Sequence, residues 1–371
     1  MATIGVIPGD GVGPEVIGEA LAILQDLGAA HNLGLSFQSF DLGSDRYLRS
    51  GEVLPDSVLQ ELAGCDAILL GAIGDPRVPP GVLEKGLLLR IRFEFQQYIN
   101  LRPVQLMPGV ETPIKGKGSG EIDMVVVREN NEDLYVGAGG FTRKGTPEEV
   151  AIQTSINTRA GVERCLRYAF ALAEKRAKDR VFPGLSLAAR EAGKRGLVSL
   201  VAKTNVLTYA HDLWNRAFEE VAPDYPSLAT DYHHVDACCM RMVVAPERYD
   251  VIVTTNMFGD IITDLGAVLQ GGMGVASSGN LNPERTFPSM FEPVHGSAPD
   301  IAGTGKANPI AAILSIGMLL DHLGAAEAGS SVRSAVAQVL ADPNGPKTPD
   351  LGGTGTTREV GRAVREAVSR S

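Results

Sequence analysis

Thr3-Ile4-Gly5-Val6-Ile7-Pro8-Gly9-Asp10-Gly11-Val12-Gly13-Pro14 decides the fold class. A short apolar strand runs into a glycine-rich turn, and apolar residues then recur at helical spacing from Glu15 to Leu27. Strand patterns return at Leu35 to Phe40 and at Ala67 to Leu70, the latter ending in Gly71-Ala72-Ile73-Gly74. Strands alternating with helices predict an α/β protein with a largely parallel sheet. The turn has the outline of a dinucleotide fingerprint, but its spacing is GxGxG followed by proline and not GxGxxG. The ribose-binding acid expected about 20 residues on is missing, and Asp41 lies too far along. The turn therefore reads as a tight corner near a cofactor, in a fold that is not Rossmann.

Outward from this stretch the chain changes character. Met124 to Val127 and Val150 to Thr154 are β-rich, and the glycines between them predict hairpins or an arm. Thr158 to Lys178 has helical periodicity through Val162, Leu166, Ala169 and Ala173. Lys178 to Gly196, around Phe182-Pro183-Gly184, reads as an inserted surface excursion before a strand at Leu197 to Val201. Val251 to Thr254 reads as a buried strand, Ala237 to Val244 as strand-like, and Ile310 to Leu323 as a strongly apolar helix.

The chain has 371 residues, enough for two domains. Hydrophobic residues make up 44% and charged residues 21%, the profile of a globular protein with ample core. A net charge of −10 argues against nucleic acid or an anionic membrane as partner, so an anionic substrate must be caught by a local cluster of arginines. Cys65, Cys165, Cys238 and Cys239 show no metal or redox spacing and fit small buried hydrophobes in a reducing compartment. There is no secretory signal and no run long enough to span a bilayer, which sets the expectation of a cytoplasmic enzyme.

The candidate chemistry lies in the middle of the chain. Asp260 and Asp264, in Asn256-Met257-Phe258-Gly259-Asp260-Ile261-Ile262-Thr263-Asp264, share one face if the segment is helical. Their repulsion is relieved by a hard divalent cation, and Asp236 makes a third acid available; an acidic first turn favoured by the helix dipole is the alternative. Arg92, Arg102 and Arg128 sit beside apolar segments, where a guanidinium needs an anion, either a structural carboxylate or a substrate. Lys203 ends an apolar strand and suits a general base, and Tyr135 a proton donor; a snorkelling lysine and a core tyrosine are the alternatives.

Phe291-Glu292-Pro293-Val294-His295-Gly296-Ser297-Ala298-Pro299-Asp300-Ile301-Ala302-Gly303, followed by Ala307-Asn308-Pro309, resembles the cofactor loop of the β-decarboxylating dehydrogenases. That family includes isopropylmalate, isocitrate, homoisocitrate, tartrate and D-malate dehydrogenases. The resemblance runs nearly end to end, from Pro8-Gly9-Asp10-Gly11 to Asp350-Leu351-Gly352-Gly353-Thr354-Gly355, and includes the spacings Arg92 to Arg102, Arg128 to Tyr135, Lys203 to Asn205 and Asp236 to Asp260 to Asp264.

The resemblance implies a two-domain, isocitrate/isopropylmalate dehydrogenase-like α/β fold with an intersubunit β arm. Residues 1–98 plus 271–371 would form the cofactor-binding domain, and 99–270 the dimerisation and substrate/metal domain. It further implies NAD-dependent oxidative decarboxylation of a 3-substituted or unsubstituted (2R)-malate by a homodimer with shared sites, Lys203 and Asp236 being lent by the partner. By the same resemblance Arg92, Arg102, Arg128 and Asn205 hold the substrate, with Leu88 and Leu89 beside it. Asp236, Asp260 and Asp264 hold Mg2+ or Mn2+, K+ serves as an activator, Lys203 takes the hydroxyl proton, and Tyr135 returns one to carbon. Ile73, His295, Gly296, Ser297, Ala298, Asp300, Ile301 and Asn308 line the cofactor, with Asp300 on the ribose favouring NAD over NADP.

Some positions depart from the family pattern. Asn130-Asn131-Glu132-Asp133 replaces the usual Asn-Thr-x-Gly, and the Lys178 to Gly196 excursion has no familiar counterpart. The specificity loop Leu83 to Arg90 has the length of the tartrate and D-malate type, whereas Val206 after Asn205 matches isopropylmalate enzymes. The substrate thus stays open among these and a specialised malate of secondary metabolism. A non-catalytic regulatory subunit is the reading from another class, against which stand the retained Lys203, Tyr135 and three aspartates.

Overall fold

The computed structural model describes residues 2–370 and divides into two compact units. The first comprises Met1–Gln97, Arg102–Ser119 and Ala267–Ser371, and the second Tyr98–Leu101 and Gly120–Gly266. Residues 102–119 and 267–270 thus fall in the first unit, and Tyr98 in the second.

The chain opens with β1 (Ala2–Gly9), α1 (Gly13–Ala30), β2 (Leu35–Ser39), α2 (Ser44–Ser50), α3 (Asp56–Ala63) and β3 (Ala67–Ala72). After α4 (Arg90–Glu94) and β4 (Ile99–Gln105), the second unit supplies β5 (Asp123–Glu129), β6 (Gly139–Thr142), β7 (Val150–Gln153), α5 (Arg159–Lys178), α6 (Leu187–Glu191) and β8 (Gly196–Ala202). It continues with α7 (Ala210–Val221), β9 (Leu228–His234), α8 (Val235–Val244), β10 (Val251–Thr254) and α9 (Asn256–Leu269). The return to the first unit brings β11 (Ser277–Leu281), β12 (Ser289–Pro293), α10 (Ile310–His322), α11 (Ala326–Ala341) and α12 (Thr357–Val368).

In the first unit the strands run in the order β2-β1-β3-β12-β11, with β2, β1, β3 and β12 parallel and β11 antiparallel to β12. The second unit orders β5-β10-β8-β9, all parallel. β3, β8 and β10 are buried along their whole length, which is why they read as unbroken apolar runs and not as alternating ones. In the first unit α10, apolar nearly all round, covers β3, β11 and β12, and α1 packs on α10 and α12. α12 starts with a reciprocal capping box between Thr356 and Glu359. In the second unit α5 covers β5, β8 and β10, its first turn capped by the Thr158 hydroxyl on Gly161 N–H.

Three sequence readings are corrected. Ala237 to Val244 is helical within α8, because Cys238 and Met242 bury one face at a spacing of four. Leu83 to Arg90 is no open loop: Glu84–Leu89 winds as a π-helix that continues into α4, with Leu87 buried. The excursion before β8 is not wholly surface, since Phe182 and Leu185 pack on Leu197 in a small core of their own, with α6 beside it. The predicted hairpin is present as β6 and β7, antiparallel and exposed along both strands.

Candidate active site

In an open parallel sheet, polar side chains gather where strands end at their carboxyl edge, and both units follow this rule. In the second unit β5 delivers Arg128 in its last turn of pleat, β8 delivers Lys203, β9 is followed by Asp236, and β10 runs into α9 with Asp260 and Asp264.

Arg128 is 1% exposed, so its charge must be matched locally. Its Nε and Nη2 donate to Asn256 Oδ1 at 3.0 and 2.7 Å, and its Nη1 donates to Asp260 Oδ1 at 2.5 Å. The Tyr135 hydroxyl donates to Asp260 Oδ2 at 2.7 Å, and the Arg128 guanidinium lies 5.0 Å from the centre of the Tyr135 ring. Arg128, Tyr135 and Asp260 are therefore one hydrogen-bonded group. Asp264 is exposed one helical turn beyond Asp260.

Lys203 Nζ donates to Asp236 Oδ1 at 2.6 Å, and that bond holds the Asp236 carboxyl below the usual carboxylate range. Two rings fix the backbone here. His211 Nδ1 accepts from the Lys203 N–H at 2.8 Å, and the Tyr232 hydroxyl accepts from the Thr204 N–H at 3.1 Å. Burial pushes the His211 imidazolium down, which suits the neutral acceptor this bond requires. Asn205 is exposed beyond that turn. Among the described residues no group of three His, Cys, Asp or Glu within this one chain could hold a metal, so Asp236 is not gathered with Asp260 and Asp264. The pair on α9 still offers two hard carboxylates on one face, a donor set suited to Mg2+ or Mn2+.

Next to Arg128 stands a group that sequence reading missed. Glu129 is buried and accepts from the N–H groups of Asn131 and Glu132 at 2.7 and 2.9 Å. Desolvation outweighs those bonds and raises its carboxyl to about 7. Glu132 and Asp133, the latter standing where the family pattern has glycine, each serve a helix start. Glu132 accepts from Thr158 N–H at 2.8 Å and from its hydroxyl at 2.6 Å ahead of α5, and Asp133 accepts from Met257 N–H at 2.9 Å in the first turn of α9.

In the first unit the corner Gly9–Gly13 and the loop after β12 are built on each other. Val12 N–H donates to the Ser297 carbonyl at 2.8 Å, and a Cβ on Gly11 would sit 1.9 Å from that oxygen. Gly11 also has φ +56°, so the turn needs glycine twice over. Asp10 is buried and accepts from Ser44 N–H (2.8 Å), the Ser44 hydroxyl (2.6 Å) and Gly74 N–H (2.9 Å), tying β1, α2 and the end of β3 together.

The loop itself leaves groups available to a cofactor. His295 Nδ1 bonds the Gly296 carbonyl, while its Nε2 is buried with no hydrogen-bond partner. Burial lowers the tendency of that ring to protonate. A side chain on Gly296 would meet nothing, Ala298 takes φ +39°, and Ile301 N–H closes the turn on the Ala298 carbonyl. Asp300 is exposed, and no hydrogen bond or ion pair engages its carboxylate among the described residues. An orphaned buried nitrogen and a free carboxylate on one loop fit a nucleotide cofactor. Asn308 is otherwise employed, holding Asp350 at 3.0 Å and the Ile310 N–H at 3.0 Å. Ile73 is half-buried against the apolar cluster around Phe40 and Leu70.

Arg92 is buried and donates to Glu292 Oε1 at 3.1 Å, an oxygen that Asn280 also reaches at 2.7 Å. Its Nε is buried without a partner, a donor left over for an anion. Arg102 is buried on β4, and Leu88 and Leu89 are half-buried on the π-helix.

The fold and these constellations define a β-decarboxylating dehydrogenase, an oxidoreductase, and the chain belongs to the isocitrate/isopropylmalate dehydrogenase family, whose model matches residues 3–364. Among curated relatives it is similar to 3-isopropylmalate dehydrogenase of Thermobifida fusca, 52% identical over 366 residues that cover 99% of this chain and 97% of the relative. It is also similar to 3-isopropylmalate dehydrogenase of Frankia casuarinae, 55% identical over 91% of this chain and 92% of that one. Among solved structures, isocitrate dehydrogenase from Methylococcus capsulatus superimposes with a TM-score of 0.85 at 34% identity, covering 99% of each chain. A β-decarboxylating dehydrogenase from Thermococcus kodakarensis gives 0.77 at 35% identity, covering 100% of this chain and 97% of that one.

Proposed function

We propose that this chain is an NAD-dependent dehydrogenase that oxidises and decarboxylates 3-isopropylmalate. The observation that carries the reaction is the Arg128–Asp260–Tyr135 group, in which an anion-binding fork, a hard carboxylate and a phenolic proton are held together. The choice of malate rests on the relatives that share half of its sequence and bear that name. Leu88 and Leu89 support it by offering an apolar surface for a branched substituent.

The loop from His295 to Ile301 in the first unit would carry the cofactor, and Asp260 and Asp264 in the second would carry the metal. Arg128, Arg92 and Arg102 would bind the two carboxylates, and Asn205 would contact the substrate beside them. Asp260 and Asp264, with Asp236 of the partner subunit, would hold Mg2+ or Mn2+. When bound, the cation supplies positive charge for a developing oxyanion, and NAD supplies the hydride acceptor. Lys203 of the partner subunit would take the hydroxyl proton as the alcohol becomes a ketone. That carbonyl, now β to the departing carboxylate, accepts the electron pair released when the carbon–carbon bond breaks. Tyr135, its phenol already oriented on Asp260, protonates the enol carbon. Asp300 would accept from the ribose hydroxyls and repel a 2′-phosphate.

A homodimer with shared sites is part of this reading. Met240, Val243 and Val244 on α8, Met257, Ile261 and Val268 on α9, and Phe141, Val150 and Ile152 on the β6–β7 hairpin are all exposed. Apolar residues in that density are expected to meet another chain.

Turnover by the purified chain on 3-isopropylmalate, D-malate, tartrate and isocitrate, with NAD and Mg2+ or Mn2+, tests the proposal. The expected result is NADH formation that is highest with 3-isopropylmalate and absent in EDTA. Higher kcat/KM on D-malate or tartrate would overturn the substrate, and activity retained in EDTA the metal.

A further inference from the structure

Asp133 occupies a backbone conformation that side chains avoid. Its φ is +65° and its ψ −141°, a region glycine enters freely and an aspartate only under strain. Such a conformation persists only when surrounding contacts over-determine it, and here four hydrogen bonds do so. The Asp133 N–H donates to the Ile156 carbonyl at 2.7 Å, and the Ile156 N–H donates back at 3.3 Å. Its carboxylate accepts from the Ser155 hydroxyl at 2.6 Å and from Met257 N–H at 2.9 Å.

These bonds join three pieces of the second unit. Ser155 and Ile156 follow the β6–β7 hairpin, Met257 opens the helix that carries Asp260 and Asp264, and Tyr135 lies two residues beyond Asp133 in the short turn Leu134–Val136. That turn ends on Gly137 at φ +72°, so the segment bearing Tyr135 is bracketed by two left-handed residues. Tyr135 then meets Asp260, three residues after Met257, at 2.7 Å. The phenol and its carboxylate thus belong to two segments fastened to each other by the Asp133 carboxylate and, more loosely, by the Asn256 amide, which donates to the Glu132 carbonyl at 3.3 Å.

We infer that Asp133 is a positioning residue, whose carboxylate sets the Tyr135 turn against the first turn of α9 and so places the phenol on Asp260. The inference rests on the reading of Tyr135 as proton donor. Geometry of this kind matters because a misplacement of about 1 Å at a reacting group can cost on the order of 100-fold in rate.

Three substitutions separate strain from placement. Asp133→Gly relaxes the backbone and removes both side-chain ties. Asp133→Asn keeps an oxygen for Met257 N–H, keeps an amide that can bond Ser155, and tolerates positive φ. Asp133→Ala keeps the strain and loses the ties. The expected result for Asp133→Gly is a kcat lowered roughly 10- to 100-fold with KM for malate within a factor of about two and a melting temperature close to that of the parent. Asp133→Asn should restore kcat to within about threefold, and Asp133→Ala should lose both kcat and thermal stability. A 3-fluorotyrosine at position 135 reads placement directly, and its fluorine resonance should shift or broaden in Asp133→Gly and not in Asp133→Asn.

An unchanged resonance in Asp133→Gly, or parental kcat in that variant, would overturn the inference. A shifted resonance together with a fully active Tyr135→Phe enzyme would leave the positioning intact and overturn the proton-donor reading instead.

Discussion

Replacing Glu129 by glutamine should invert in effect across a modest pH range, and its magnitude can be worked from the site. The glutamate is 2% exposed, and burial raises its carboxyl from 4.5 to about 7 against the pull of two backbone N–H donors. The folded protein therefore holds this proton more tightly than the unfolded chain does. The stability it contributes is complete below about pH 4.5 and is lost as pH rises through 7. A displacement of that size corresponds to about 3 kcal/mol between the two limits. Glutamine does not titrate, but its amide must turn an N–H toward one of the backbone donors, a penalty of about 1–3 kcal/mol at every pH. The variant should be the less stable protein near pH 4.5 and equal or more stable at pH 8, the gap moving by about 3 kcal/mol.

Urea unfolding at the two pH values measures this, with Trp214 as reporter. It is the single tryptophan, it is buried in α7, and it lies in the same unit as Glu129. With an urea slope of about 2 kcal/mol/M the relative midpoint should move by roughly 1–2 M. A gap between variant and parent that is the same at both pH values would show that Glu129 is not titrating in the folded state.

Two further outcomes are expected. The parent should prefer NAD over NADP by orders of magnitude, since an Asp300 carboxylate on the ribose would make charge-assisted bonds worth roughly 1.5–3 kcal/mol each, and exchanging Asp300→Lys together with Ile301→Tyr should erode or invert that preference; kcat/KM with both cofactors measures it, and comparable efficiency with NADP in the parent would refute it. Mixing inactive Lys203→Met and Arg128→Ala chains should restore activity if sites are shared between subunits, because a heterodimer then contains one site without a lesion; exchange demonstrated by mass spectrometry without recovered turnover would refute the sharing.

The parallel strands were legible because burial on both faces writes itself as unbroken apolar runs such as Val125 to Val127 and Val251 to Val253. The shared face of Asp260 and Asp264 was legible from spacing alone, and α9 places it so. α8 was misread because Val, Cys and Met accept either conformation, although Cys238 and Met242 carried the helical interval. What spacing could not show were partners far along the chain. Asn256 is 128 residues from the Arg128 it holds, and Glu292 is 200 from Arg92. A charged residue inside the buried run Ser289–Pro293 was the one available signal for Glu292. Asp133 was visible only as a departure from pattern, since its role follows from a torsion angle.

The first unit is woven from both ends of the chain, and this has a consequence for synthesis. β3 takes β12 as its neighbour, and α1 is held by Arg365 of α12 at Asp26. On the ribosome, β1 to β3 emerge early with one sheet edge bare and the apolar face of α1 uncovered. The strand that closes the edge arrives roughly 200 residues later, and the last helix later still. At about 5–20 residues per second the nascent half-unit waits roughly 10–40 s. The interposed unit, continuous from Gly120 to Gly266 apart from Tyr98–Leu101, can complete itself during that wait. The earliest residues made are thus among the last to be secured, and in that interval β3 is the segment a chaperone would have reason to shield.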